Sequence, residues 1–174
     1  MKPALGISLE LLTLALSLGL APFIPSGLLF GLYVVCAQLL ASYLLHCPAH
    51  FIVGSALGIK FSGVHLGRTT ISKSISPRLG RVARLMPVPY LSTETASVAS
   101  ASPRRAAAMY ASGVSASVSS ALLIAAAATF SEPPAYAAIA WGVAVAYLAS
   151  DLVLSPRSGD LRRARLAMRR PPAS

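Results

Sequence analysis

Charge is what this chain has least of. Only 11% of its 174 residues are charged, and five Asp and Glu stand against fifteen Lys and Arg. Soluble domains carry about a quarter charged residues. With 55% hydrophobic residues and a mean hydropathy of +0.68, an ordinary water-soluble domain is excluded. Cysteine is nearly absent too. Cys36 and Cys47 fall in one apolar stretch and on one helix cannot bridge each other, so there is no disulfide framework. Cys36 reads as a small apolar packing residue. Aromatic residues make up 7% of the chain, and no aromatic-interleaved basic patch or known module accompanies the net charge of +10. That argues against nucleic acid as a partner.

What the chain has instead is four long apolar windows, at about 4–23, 28–46, 106–130 and 135–154. About 20 helical residues cross the hydrocarbon core of a bilayer. The breaks are Pro22 and Pro25-Ser26, a polar insert over 59–105, and Ser131-Glu132-Pro133-Pro134. The first window reads as a span and not as a signal peptide, because Glu10 interrupts it, it is longer than a usual apolar core, and Pro22 follows the only small-residue site. The expected fold is therefore an all-α polytopic membrane protein with one membrane domain over 1–174.

The basic residues map to one side. Lys2 precedes the first window, Lys60, Arg68, Lys73, Arg78, Arg81, Arg84, Arg104 and Arg105 lie in the insert, and Arg157, Arg162, Arg163, Arg165, Arg169 and Arg170 follow the fourth. The other two connections carry neither Lys nor Arg. By the positive-inside rule both termini, the insert and the basic tail over 155–174 are cytoplasmic. The basic charge then reads as topology and as contact with anionic lipid of the bilayer.

Within the insert, the second helix is expected to continue past a kink at Pro48 and to stop at Gly58. Ile59-Lys60-Phe61 and Thr69-Thr70-Ile71-Ser72 predict one or two short strands or a hairpin between about 59 and 75. Arg78, Arg81 and Arg84 opposite Leu79, Val82 and Leu85 predict a basic amphipathic helix on the inner leaflet. Residues 92–102 read as a loose linker. In the third window Ala108, Ser112, Ala116 and Ser120, flanked by Gly113 and Ser117, predict a close-packing seam. A catalytic serine there is disfavoured, since no histidine or lysine partner is evident.

The chemistry concentrates in His46-Cys47-Pro48-Ala49-His50. Two imidazoles four apart lie on one helical face, as zinc-binding helices present a pair of ligands. The glutamate that would act as general base after the first histidine is replaced by Cys47. Glu10, His46, His50 and Asp151 all map to the cytoplasmic half of the spans, where ionisable groups are costly and usually functional. The alternative is packing: hydrogen-bonded neutral histidines near the membrane face and Asp151 paired with an arginine. His65 reads as an ordinary surface histidine.

His46-x-x-x-His50, followed by Gly54 and Leu57-Gly58-Ile59-Lys60, resembles the first helix and following strand of the site-2 protease-like intramembrane zinc metalloproteases. Pro103-Arg104-Arg105 and Ser112-Gly113-Val114-Ser115-Ala116-Ser117 look like that family's Ala-Gly-Pro-x-Ala-Asn segment. Asp151-Leu152-Val153-Leu154-Ser155-Pro156 with Gly159-Asp160 sits where the family has Asn-x-x-Pro and Leu-Asp-Gly. The resemblance implies zinc held by His46, His50 and a third ligand. Family register favours Asp160. Depth in the membrane favours Asp151, about 24 Å into the fourth span at 1.5 Å per residue. The two stay open at this point.

The departures are Cys47 for the glutamate, Val114 and Ser117 for the proline and asparagine, and the reversed Asp-Gly order. A hydrolytic zinc site needs a base, and a thiolate beside zinc tends to become a ligand. Glu10 is the one carboxylate of the first helix that stands in reserve. Three functions fit the sequence. One is a proteolytically inactive relative that engages single-span membrane proteins. The others are an active intramembrane metalloprotease with rearranged groups and a small transporter or metal-handling protein.

Overall fold

A computed structural model describes residues 1–25, 27–68, 87–130 and 134–170. Its helices are α1 (Pro3–Gly19), α2 (Leu28–Leu44), α3 (His46–Ala56), α4 (Thr95–Ser100), α5 (Pro103–Ala128), α6 (Ala135–Ser158) and α7 (Asp160–Met168). Two strands, β1 (Phe61–Arg68) and β2 (Pro87–Thr93), form an antiparallel pair with Val64 opposite Leu91 and His65 opposite Tyr90. Four stretches are long and apolar enough to cross a membrane: Pro3–Phe23, Leu28–Ala56, Pro103–Ala128 and Ala135–Arg157. The chain is a polytopic helical membrane protein with one small sheet.

Side chains are distributed the opposite way from a soluble bundle. Leu12, Leu16, Leu28, Leu29, Leu123 and Phe130 point outward. Between the helices lie Gln38, Ser42, Ser117, Ala121, Ala125 and Ala140. In lipid, apolar surface gives no drive to associate. Helices instead meet through small residues and interhelical hydrogen bonds. Gln38 is fully buried, and its side-chain amide donates to the Ala121 carbonyl at 2.9 Å and the Ala140 carbonyl at 3.0 Å, tying α2 to both α5 and α6. Ser42 Oγ donates to the Ser117 carbonyl at 3.1 Å, while Ser117 Oγ donates to the Ser42 carbonyl at 2.6 Å.

The break between α2 and α3 follows from Pro48. Its missing N–H and its ring both act on the carbonyl four residues back, Leu44, and α2 ends at that residue. Helical bonding resumes with Ala49 N–H to the Leu45 carbonyl at 3.0 Å. At the other end, Gly58 takes φ +83°. Ile59 N–H bonds the Gly54 carbonyl at 2.8 Å and Gly58 N–H the Ser55 carbonyl at 3.0 Å. This is a Schellman stop, for which glycine is suited because it lacks a Cβ.

Several expectations need correction. One expected strand, β1, falls within 59–75, while its antiparallel partner β2 comes from 87–93. Part of the expected linker is helix α4, and the amphipathic helix expected over 78–85 lies outside the described residues. The buried face of α5 runs Ala106, Met109, Gly113, Ser117, Ser120–Ala121, Ala125, so the expected seam shares only Ser120 with it, and Ala108 is exposed. A strict spacing of four drifts about 40° per step around a helix of 3.6 residues per turn, whereas a real contact face alternates threes and fours. Cys36 is exposed on α2 and does not pack in the protein. Within the basic tail, α7 returns to the bundle and buries Ala167 with Ile59, Val98, Ala106 and Met109.

Candidate metal centre

Two helices and one turn build the site. His46 opens α3 directly after the proline break, and His50 follows one turn later on the same face. Across from them, α5 presents Met109, Gly113 and Ser117. Asp160 is the first residue of α7, set by the turn at Gly159, where Ser155 Oγ accepts from Leu161 N–H at 3.1 Å. A carboxylate at a helix N-terminus is favoured by the unpaired N–H groups there.

The three ligand atoms converge. Asp160 Oδ2 lies 2.9 Å from His46 Nε2 and 3.3 Å from His50 Nε2, and the two Nε2 atoms are 3.2 Å apart. Zinc bonds of about 2.0–2.2 Å at tetrahedral angles put neighbouring ligand atoms roughly 3.3 Å apart. The triangle has that size. The imidazoles meet edge-on, with their planes at 85°.

The remaining ring nitrogens explain why those lone pairs are free. His50 Nδ1 lies 2.6 Å from the Met109 carbonyl, which only accepts, so Nδ1 carries the proton. His46 Nδ1 lies 3.2 Å from Ser117 Oγ. The single Ser117 hydroxyl proton is committed to the Ser42 carbonyl, so His46 Nδ1 also donates. In the neutral tautomers both Nε2 atoms are then acceptors facing a carboxylate oxygen. Three acceptors at this range need a cation or a proton between them, and orienting partners on the far ring nitrogen are the usual support of ligating histidines.

Burial tends to raise the Asp160 carboxyl; where a proton on Nε2 makes His46 or His50 a donor, hydrogen bonds and charge from the two rings outweigh burial and hold the carboxyl well below the ordinary carboxylate range. Arg163 stands 3.7 Å from the other carboxylate oxygen, Oδ1. About a third of the His46 side chain is exposed. Gly113 is required by contact. A Cβ there would overlap His50 Nε2 and come within 2.6 Å of His50 Cε1 and 2.9 Å of His46 Cε1.

Among the described residues, His46, His50 and Asp160 form the one group able to hold a metal ion. Asp151 is not in it, although it lies near enough to His46 and Asp160 to interact electrostatically. Cys47 turns away from the ligands, packs with Ile7 and Val64, and its thiol donates to the Pro89 carbonyl at 3.4 Å. Glu10 is buried on α1, on the Cys47 side. His65 is exposed and stacks on Tyr90. Sequence reasoning treated Ser117 as packing and had no signal for the Met109 carbonyl, since a backbone acceptor leaves no trace in residue identity. No family model, no curated protein and no solved structure matches the chain.

Proposed function

We propose that this protein holds a divalent metal, zinc first, on His46, His50 and Asp160, and engages membrane-spanning segments of other proteins without cleaving them. The convergence of two tautomer-fixed Nε2 atoms and one carboxylate oxygen carries the metal reading. Nitrogen and oxygen donors in this number suit zinc with one further position open. When bound, zinc supplies Lewis acidity. What the chain itself does is hold the histidines through Met109 and Ser117 and deliver Asp160 from α7.

Hydrolysis needs a base next to the metal. The residue after His46 is a thiol bonded to the Pro89 carbonyl, and this supports an inactive relative of the site-2 protease design that the sequence resembles. In this reading both termini and the 59–105 insert are cytoplasmic, in keeping with the distribution of Lys and Arg. Metal content of detergent-purified protein tests the first half of the proposal. A cleavage assay on a single-span substrate tests the second: intact substrate is expected, and cleavage abolished by His46→Ala overturns the inactive reading.

A further inference from the structure

A second polar feature lies away from the metal ligands. Between α1, the inner end of α2 and the hairpin runs a cleft of about 710 Å³, bordered by Leu9, Glu10, Thr13, Leu44, Val64 and Tyr90. That volume is within the range of sites that enclose a ligand or a few side chains. Glu10 is nine-tenths buried, and its Oε2 has no hydrogen-bond partner among the described residues. An unpaired buried carboxylate is expensive in any low-dielectric surrounding and more so inside a bilayer. The walls are otherwise mainly apolar, and the one acidic side chain of α1 stands among them.

We propose that this cleft receives the inner end of a partner's membrane-spanning helix and that Glu10 takes the ammonium of a lysine on it. This rests on the reading above that the protein engages membrane spans. The chemistry matches on three counts. Glu10 offers an unsatisfied acceptor, and an ammonium supplies donors and the opposite charge. The aliphatic lysine stem suits walls made by Leu9, Leu44 and Val64. Glu10 lies seven residues beyond Pro3, so about 10 Å along α1 at 1.5 Å per residue. A lysine at that level of a partner's helix lies within the span, where an ammonium is costly unless it meets an opposite charge.

Binding of labelled transmembrane peptides to the full-length protein in phosphatidylcholine nanodiscs tests this. One peptide carries a lysine two turns inside its cytoplasmic end, and its twin carries norleucine there. The lysine peptide is expected to bind at least tenfold tighter. Glu10→Gln, which keeps the side-chain shape, is expected to remove that preference while leaving norleucine binding and bound zinc unchanged. Equal binding of the two peptides, or a preference that survives Glu10→Gln, overturns the proposal and leaves the metal reading intact. Loss of the preference in nanodiscs containing phosphatidylethanolamine assigns the cleft to a lipid amine and also overturns it. Binding of neither peptide overturns it together with the engagement of membrane spans, while zinc content reports separately on the metal site.

Discussion

Replacing Gly113 by alanine puts one methyl group into the space that the two histidines occupy. Its Cβ would sit about 0.8 Å inside the 3.4 Å at which ordinary contact begins with His50 Cε1, and about 0.5 Å inside it with His46 Cε1. Neither ring has slack, because His50 Nδ1 is bonded to Met109 and His46 Nδ1 to Ser117. Alanine is favoured over glycine in a helix by about 1 kcal/mol, and overpacking costs roughly 1–3 kcal/mol. The net is about 0–2 kcal/mol of destabilisation, so the melting temperature is expected to fall by no more than about 8 °C. Metal ligation tolerates only about 0.2 Å, and disturbing the shell behind a ligand costs about 10–100-fold in affinity. Zinc affinity by competition with a chelating dye should fall by at least tenfold in Gly113→Ala. Gly142→Ala on α6, which has nothing within 4 Å of the added Cβ, should leave it unchanged. Unchanged affinity in Gly113→Ala would refute the geometry given for the site.

Further outcomes follow from the same contacts. Ser117→Ala removes the acceptor of His46 Nδ1 and the donor to the Ser42 carbonyl; zinc affinity should drop about tenfold or more, and thermal melting should show a loss of about 1–3 kcal/mol from the unpaired groups. Asp160→Asn should abolish tight metal binding while Asp151→Asn retains it; the reverse result in a metal titration would return the third ligand to Asp151. Asp160 titrates below its unfolded value, near 3.9, so its stabilisation is complete above about pH 4 and is lost as pH falls through the lower folded value. In metal-free protein, Asp160→Asn should thus be less stable than the native chain wherever His46 or His50 carries a proton to share with the carboxylate, with the gap closing in strong acid. A reporter fused after residue 90 should read as cytoplasmic and one after residue 130 as external; the opposite pattern would invert the topology.

The four spans were legible because a run of about 20 apolar residues has few other uses. The His46–His50 pair was legible because a spacing of four fixes a shared helical face whatever the tertiary contacts are. Asp160 against Asp151 was not. The choice depends on α7 folding back to bury Ala167 beside Ala106 and Met109, a long-range event with no local pattern. Depth points to Asp151, which lies near enough to His46 to interact with it but outside the group of converging ligand atoms. The seam on α5 was misread by one helical position because small residues occupy several faces there, and burial, not residue size, marks the one in contact. Strand β2 was missed for a similar reason: Pro87-Val88-Pro89-Tyr90 carries two prolines, which argue against a strand. An edge position in a two-stranded sheet permits them.

The central question is whether the three converging atoms of His46, His50 and Asp160 bind a metal. Elemental analysis of purified native protein, His50→Ala and Asp160→Asn, each loaded with zinc and dialysed, answers it directly. The native chain should retain stoichiometric zinc, and both variants should lose it while their helical content, followed by circular dichroism, stays native. Native protein that emerges without metal after loading, or variants that retain as much as the native chain, would contradict the assignment and leave the histidines as hydrogen-bonded packing against Asp160.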